Sequence, residues 1–189
     1  MNITPEEAQV ALNDIRRLTD KTQYISKVWA FYMVLWGLIW TVGFLASQML
    51  PNLIDWIWYT MIGIGMVVSA ILGVIQSRQA RLAPGSQAAF INSRLGISQG
   101  LLYIFGFLWL FLFTLSPLQI GLLWITITML GYILTGVWLR ESLYIGFSVG
   151  VIIMAIVGYY LVPHYFWLWV TIFAGLPVAG LGLYCLRKR

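Results

Sequence analysis

Charge is what this sequence has least of. Only 9% of its 189 residues are Asp, Glu, Lys or Arg, against about 25% in a typical soluble domain. One Cys and one His are present, which excludes an internal disulfide and leaves no Cys/His cluster with metal-ligand spacing. Charges at Lys27, Asp55, Arg78, Arg94, Arg140, Glu141 and Arg187 bracket four uncharged blocks: Val28–Ile54, Trp56–Ser77, Leu95–Leu139 and Ser142–Leu186. Catalysis within a membrane rests on ionisable groups placed where they are costly, and the middles of these blocks hold none. No HExxH, no paired acids on a helix face and no nucleophile with a base in reach occur. An enzyme is therefore not expected, and neither a cofactor nor a metal is called for.

Apolar residues dominate instead, at 61% of the chain with a mean hydropathy of +0.88. A membrane helix needs about 20 apolar residues. The first two blocks suit one helix each, while the last two hold 45 residues each and must fold back once. Six spans follow: Val28–Ser47, Trp56–Gln76, Leu95–Leu115, Leu118–Leu139, Leu143–Val162 and Tyr165–Leu186. Backbone amides in lipid must pair within their own segment, and runs such as Leu101–Leu115 lack the alternation of a barrel strand. The expected fold is all-α and polytopic, with six spans arranged as three hairpins. Residues 1–27 form a cytosolic lead, 28–186 the membrane domain and 187–189 a basic tail.

All eleven Lys and Arg residues fall before, between or after the spans on one side. The opposite turns, Gln48–Asp55, Ser116-Pro117 and Pro163-His164, contain none. This positive-inside pattern places both termini in the cytosol of a multi-pass protein of the cytoplasmic (inner) membrane. It also assigns the net charge of +5 to topology and lipid headgroups rather than to nucleic acid. The first apolar run is longer than a signal-peptide core and is read as retained. Cys185, just before Arg187-Lys188-Arg189, is either a small span residue or a palmitoylation position.

The segment Thr4 to Lys27 reads as an amphipathic helix. Thr4-Pro5-Glu6-Glu7 combines a Thr N-cap, Pro at the first helical position and a Glu that closes a capping box. Ala8, Ala11, Ile15, Leu18, Thr22 and Ile25 recur every three or four residues as a narrow seam. Acids Glu6, Glu7, Asp14 and Asp20 balance bases Arg16, Arg17, Lys21 and Lys27. A helix lying on lipid is usually basic on its polar face; this one is neutral and suits a protein surface. Ile15 and Leu18 are its candidate contacts, with a second copy, a cytosolic or membrane partner, or the chain's own loops.

A repeat is visible. Pro51, Pro117 and Pro163 mark the uncharged turns, and Trp58-Tyr59-Thr60, Trp124-Ile125-Thr126 and Trp169-Val170-Thr171 follow seven, seven and six residues later. Turn chemistry and interfacial position explain the Pro and the Trp but not the Thr. Parallel repeats of this kind occur in transporters.

Inside the spans, Gly65-x3-Ser69-x3-Gly73 and Gly146-x3-Gly150 form small-residue stripes that let helices approach closely. Gly175-Leu176-Pro177-Val178-Ala179-Gly180 is expected to kink or break the sixth span, because Pro177 cannot donate and crowds the preceding turn. Freed carbonyls at such a break need partners, so Pro177 is the candidate site, walled by the non-interfacial aromatics Trp36, Trp40, Trp109 and Tyr132. Tyr32, Trp36 and Trp40 share one face, which serves either as helix packing or as the wall of a pocket for an apolar or cationic ligand.

The opening Glu6-Glu7-Ala8-Gln9-Val10-Ala11-Leu12-Asn13-Asp14-Ile15-Arg16-Arg17, followed by Leu35-Trp36-Gly37-Leu38-Ile39-Trp40-Thr41-Val42-Gly43-Phe44, resembles small bacterial multi-span membrane proteins with a short charged N-terminal helix. That family has no assigned activity, so the resemblance implies a bacterial cytoplasmic membrane and carries over no functional residue. Two functions are open. One is a sensor or accessory subunit that meets a partner through its N-terminal helix; the other is a small facilitator for an apolar or weakly polar solute.

Overall fold

The computed structural model describes residues 29–81 and 87–187, and residue 9 of the N-terminal segment. The proposed seam at Ile15 and Leu18 lies outside these residues. Among those described, every regular element is helical, and six helices are long and apolar enough to cross a membrane. They are α1 (Trp29–Met49), α2 (Ile54–Arg81), α3 (Gln87–Leu112), α4 (Pro117–Leu139), α5 (Ser142–Leu161) and a sixth span, Pro163–Arg187. The sixth is composite: α6 (Phe166–Val170), a π-helical turn Thr171–Gly175, and α7 (Leu176–Arg187).

Local chemistry sets the ends. Pro51 opens a short 3-10 turn between α1 and α2. At α4 the Ser116 side chain accepts from the Gln119 amide while Gln119 Oε1 accepts from the Ser116 amide, a complete capping box with Pro117 following. The cap draws Phe113–Leu115 out of α3, which ends three residues earlier than its hydropathy suggests. At its other end α4 closes on Arg140, in the left-handed region at φ 57°, with the Glu141 amide donating to Gly136 O at 2.8 Å. This is a Schellman-type closure made without the usual glycine. Gln48 joins the end of α1 to the sixth span, donating to His164 O at 3.2 Å and accepting from the Leu168 amide at 3.3 Å.

The expected break at Pro177 takes a different form. The Leu176 amide reaches back five residues to Thr171 O, so the chain widens into a π turn before the proline and continues helical to Arg187. Insertion of one wide turn absorbs the donor that Pro177 lacks without severing the span.

Burial divides the spans into core and periphery. More than half of the sixth span's apolar window is buried, 56%, against 6% for α2 and 11% for α3. Neighbours follow the order α2, α1, sixth span, α5, α4, α3. The closest approach joins α1 to the sixth span: a Cβ built at Gly37 would lie 2.7 Å from Ala179 Cα, one at Gly175 2.9 Å from the Thr41 nitrogen, and one at Gly182 2.8 Å from the Val34 nitrogen. Lipid gives helices no hydrophobic reason to associate, so backbone-to-backbone contact of this kind carries much of the attraction.

Each Trp of the Trp-x-Thr triplets seats on a glycine of the helix before it: Trp58 on Gly43, Trp124 on Gly106 and Trp169 on Gly158. Trp169 also donates from Nε1 to Met154 O at 2.8 Å. Thr60 and Thr171, two residues after their Trp, donate to the carbonyls of Trp56 and Trp167 at 2.8 and 2.7 Å, and Thr126 turns back to Leu122 in the same way.

Candidate functional site

The five candidate site residues stand in separate environments. Pro177 is half-buried, and the small residues flanking it, Gly175 and Ala179, press on Thr41 and Gly37 of α1. That face is closed by backbone. Trp36 points to α2, where its Nε1 donates to Ser69 Oγ at 3.2 Å, and a Cβ at Gly65 would meet its ring at 2.8 Å. Tyr32, one turn earlier, donates to Ser69 O at 3.3 Å. Tyr32 and Trp36 of α1 and the Gly65-Ser69-Gly73 stripe of α2 are thus the two halves of one packing contact. Trp40 is buried in the core, 5.7 Å from the Phe44 ring.

Trp109 lies on the outer surface of α3, stacked on Phe113 at 4.8 Å and edge-on to Phe105 at 6.0 Å. It lines an open cleft of about 390 Å³ with Gln119, Leu122 and Thr126 of α4 and Ile156 and Tyr159 of α5. Tyr132 is buried on α4. A second cleft, about 360 Å³, runs along α1 from Thr41 to Leu50. Neither of these two clefts is lined by Trp36, Trp40, Tyr132 or Pro177.

The centre of the bundle near the Pro51–Pro117–Pro163 turns is instead an aromatic cluster that the sequence did not single out. Trp167 stacks on Phe44 at 5.8 Å, lies 6.4 Å from Trp58 and covers Gly121 of α4. Phe166 beside it is fully buried. Trp167 resembles any interfacial tryptophan in a hydropathy reading, and its only sequence signal is the facing Gly121.

On α5 the stripe and the buried face are exchanged relative to expectation. A Cβ at Gly146 or Gly150 would meet nothing within 4 Å, whereas Tyr144, Ser148, Val151, Ala155 and Gly158 are buried. The cause is polarity. A Ser hydroxyl and a Tyr phenol are costlier in hydrocarbon than glycine, so α5 turns them inward and leaves the glycines outside. At the other end of the bundle Tyr144 donates to Cys185 Sγ at 3.7 Å, and Arg94 lies 5.5 Å over the Trp138 ring.

Most interior hydroxyls among the described residues are bonded within their own helices. Thr41, Ser47, Thr128 and Thr135 each donate to the carbonyl four residues back, at 2.7, 2.8, 2.8 and 2.9 Å. Among the described residues no group of three His, Cys, Asp or Glu could hold a metal ion. No family model, no curated protein and no solved structure matches this chain.

Proposed function

We propose that the chain is a non-enzymatic membrane module, a sensor or accessory subunit of a bacterial cytoplasmic membrane, built as three hairpins with both termini in the cytosol. It meets its partner, a second copy or another protein, through residues 4–27, with Ile15 and Leu18 at the contact. The observation that carries this reading is the filled interior. The α1–sixth-span seam is closed at the Gly37, Gly175 and Gly182 contacts, and most core hydroxyls are committed to their own helices. Both clefts are open and lined almost wholly by apolar residues. A solute path needs polar groups free to exchange partners, whereas a module needs a stable core and an exposed recognition element.

The hairpin reading is supported by the triplicated Trp-on-glycine contact, in which each returning helix locks onto its predecessor. The test is a tagged full-length chain extracted in mild detergent, compared with Ile15→Asp/Leu18→Asp. The double variant inserts normally but loses the co-purifying partner or the dimer seen by native mass spectrometry. An identical assembly profile, together with uptake of a neutral solute by proteoliposomes, would replace this reading with that of a small facilitator.

A further inference from the structure

The cleft between α3, α4 and α5 has two unlike ends. Of the residues that line it, Trp109 is the fourth from the end of α3, Gln119 the third of α4 and Tyr159 the third from the end of α5. Helix α4 runs antiparallel to both neighbours, across the Ser116-Pro117 and Arg140-Glu141 turns. The three residues therefore belong to the end of the bundle that holds Pro117 and Pro163. Thr126 lies seven residues beyond Gln119, about 10 Å deeper at 1.5 Å per residue. Leu122 and Ile156 line the stretch between.

The rim carries hydrogen-bond donors and the depth carries none. Gln119 Oε1 accepts from the Ser116 amide at 2.8 Å, and this capping box holds the side chain. Its Nε2 hydrogens have no acceptor among the described residues, and neither do the Trp109 indole N–H and the Tyr159 hydroxyl. Both rings are set by neighbours: Trp109 stacks on Phe113 at 4.8 Å, and Tyr159 stands edge-on to Phe166 at 6.2 Å. Thr126, at the deep end, turns its hydroxyl back to Leu122 O and Leu123 O. A cleft of about 390 Å³ with apolar walls and a few fixed polar groups has the size and lining of a ligand site. Basic clusters recognise anionic headgroups, and the Ser116-Pro117 and Pro163-His164 turns contain no Lys or Arg. The donors at this rim suit an uncharged acceptor.

We propose that this cleft binds one acyl chain of a membrane phospholipid. The ester carbonyl oxygen accepts from Gln119 Nε2 at the rim, and the methylenes lie along Leu122 and Ile156. An ester carbonyl is uncharged and joins a polar head to an apolar chain, the order in which the cleft presents its residues from Gln119 inward. Three helices of membrane-spanning length wall the site, so its occupant is a component of the bilayer. The capping box orients the donor beforehand, which lowers the ordering cost of binding. Recognition rests on ester and chain, and headgroup charge is immaterial.

The test uses the full chain in phosphatidylethanolamine nanodiscs doped with the same lipid carrying a diazirine at mid-chain, with crosslinks mapped by mass spectrometry. Labelling should be several-fold stronger at Leu122, Thr126 and Ile156 than at the exposed Ile71 of α2. Ile156→Trp fills the cleft from an exposed position and should lower that labelling several-fold. Gln119→Glu keeps the capping box but replaces the donor by a carboxylate, and should lower it equally with an unchanged melting temperature. Unlabelled phosphatidylethanolamine and phosphatidylglycerol should compete alike. Labelling no stronger than at Ile71, or unchanged in either variant, overturns the proposal. Competition by phosphatidylglycerol alone also overturns it, since the headgroup would then be what is recognised. Displacement by an isoprenoid quinone at a far lower ratio than by phospholipid would make the ligand a quinone instead.

Discussion

Substituting Gly37 by Ala should destabilise the bundle, although the same change elsewhere should stabilise it. A methyl group at Gly37 would lie 2.7 Å from Ala179 Cα and 2.9 Å from Ala179 Cβ, where carbon atoms prefer about 3.5–4.0 Å. The first obstacle is backbone, so no rotamer change relieves it, and α1 must move off the sixth span by about 1 Å. That shift also opens the Gly175–Thr41 and Gly182–Val34 contacts along the same seam, and a gap of ~0.5–1 Å forfeits roughly a quarter to a half of each contact's attraction. Overpacking costs about 1–3 kcal/mol, and a rigid seam falls in the upper part of that range. The better helix propensity of Ala offsets up to ~1 kcal/mol. The net loss is about 1–2 kcal/mol, roughly a 5- to 30-fold fall in the folded-to-unfolded ratio. Gly146→Ala and Gly150→Ala meet nothing within 4 Å and should instead gain about 0.5–1 kcal/mol. Unfolding by SDS in mixed micelles, followed by tryptophan fluorescence, measures all three. A Gly37→Ala protein as stable as wild type, or a Gly146→Ala protein destabilised to the same degree, refutes the seam.

Two other outcomes are expected. Trp36→Phe and Ser69→Ala should each cost about 0.6 kcal/mol, typical of a hydrogen bond between membrane helices, and the double variant should cost no more than either; additive losses would show that the bond between them contributes nothing. In a Cys185→Ser background, an impermeant thiol reagent should label a Cys at Pro117 in sealed cells and miss one at Ser86; labelling at Ser86 would reverse the threading.

The spans were legible because each rests on a property of its own residues. Hydropathy over about 20 positions, bracketing charges and turn prolines define the ends, and four of the six spans match their expected bounds within two residues, while α2 runs on to Arg81 and α3 begins at Gln87. The third ends early because the Ser116–Gln119 capping box outcompetes the hydropathy of Phe113–Leu115. The aromatic ladder of α1 and the Gly65-Ser69-Gly73 stripe were each visible, but nothing in either indicates that they meet. The candidate site at Pro177 illustrates the limit. Its missing donor was certain from the sequence, whereas its resolution by a π turn over Thr171–Gly175 depended on how closely α1 pressed against the same face.

What the sequence by itself determined is the six apolar segments of membrane-spanning length among the described residues, most of their limits and the place in the sixth span where backbone geometry must adapt. These follow from local chemistry: transfer of side chains to hydrocarbon, and amides that must pair within a segment. Only the tertiary structure decided which face of each helix turns inward. Gly37 and Gly146 are the same residue in similar apolar helices, yet one is pressed against Ala179 and the other borders open space. Period and composition allow either face of α5 to be buried. The choice belongs to the assembled bundle, because a buried place for Ser148 and Tyr144 and the packing of Gly37 on Ala179 exist only once the neighbours are in place.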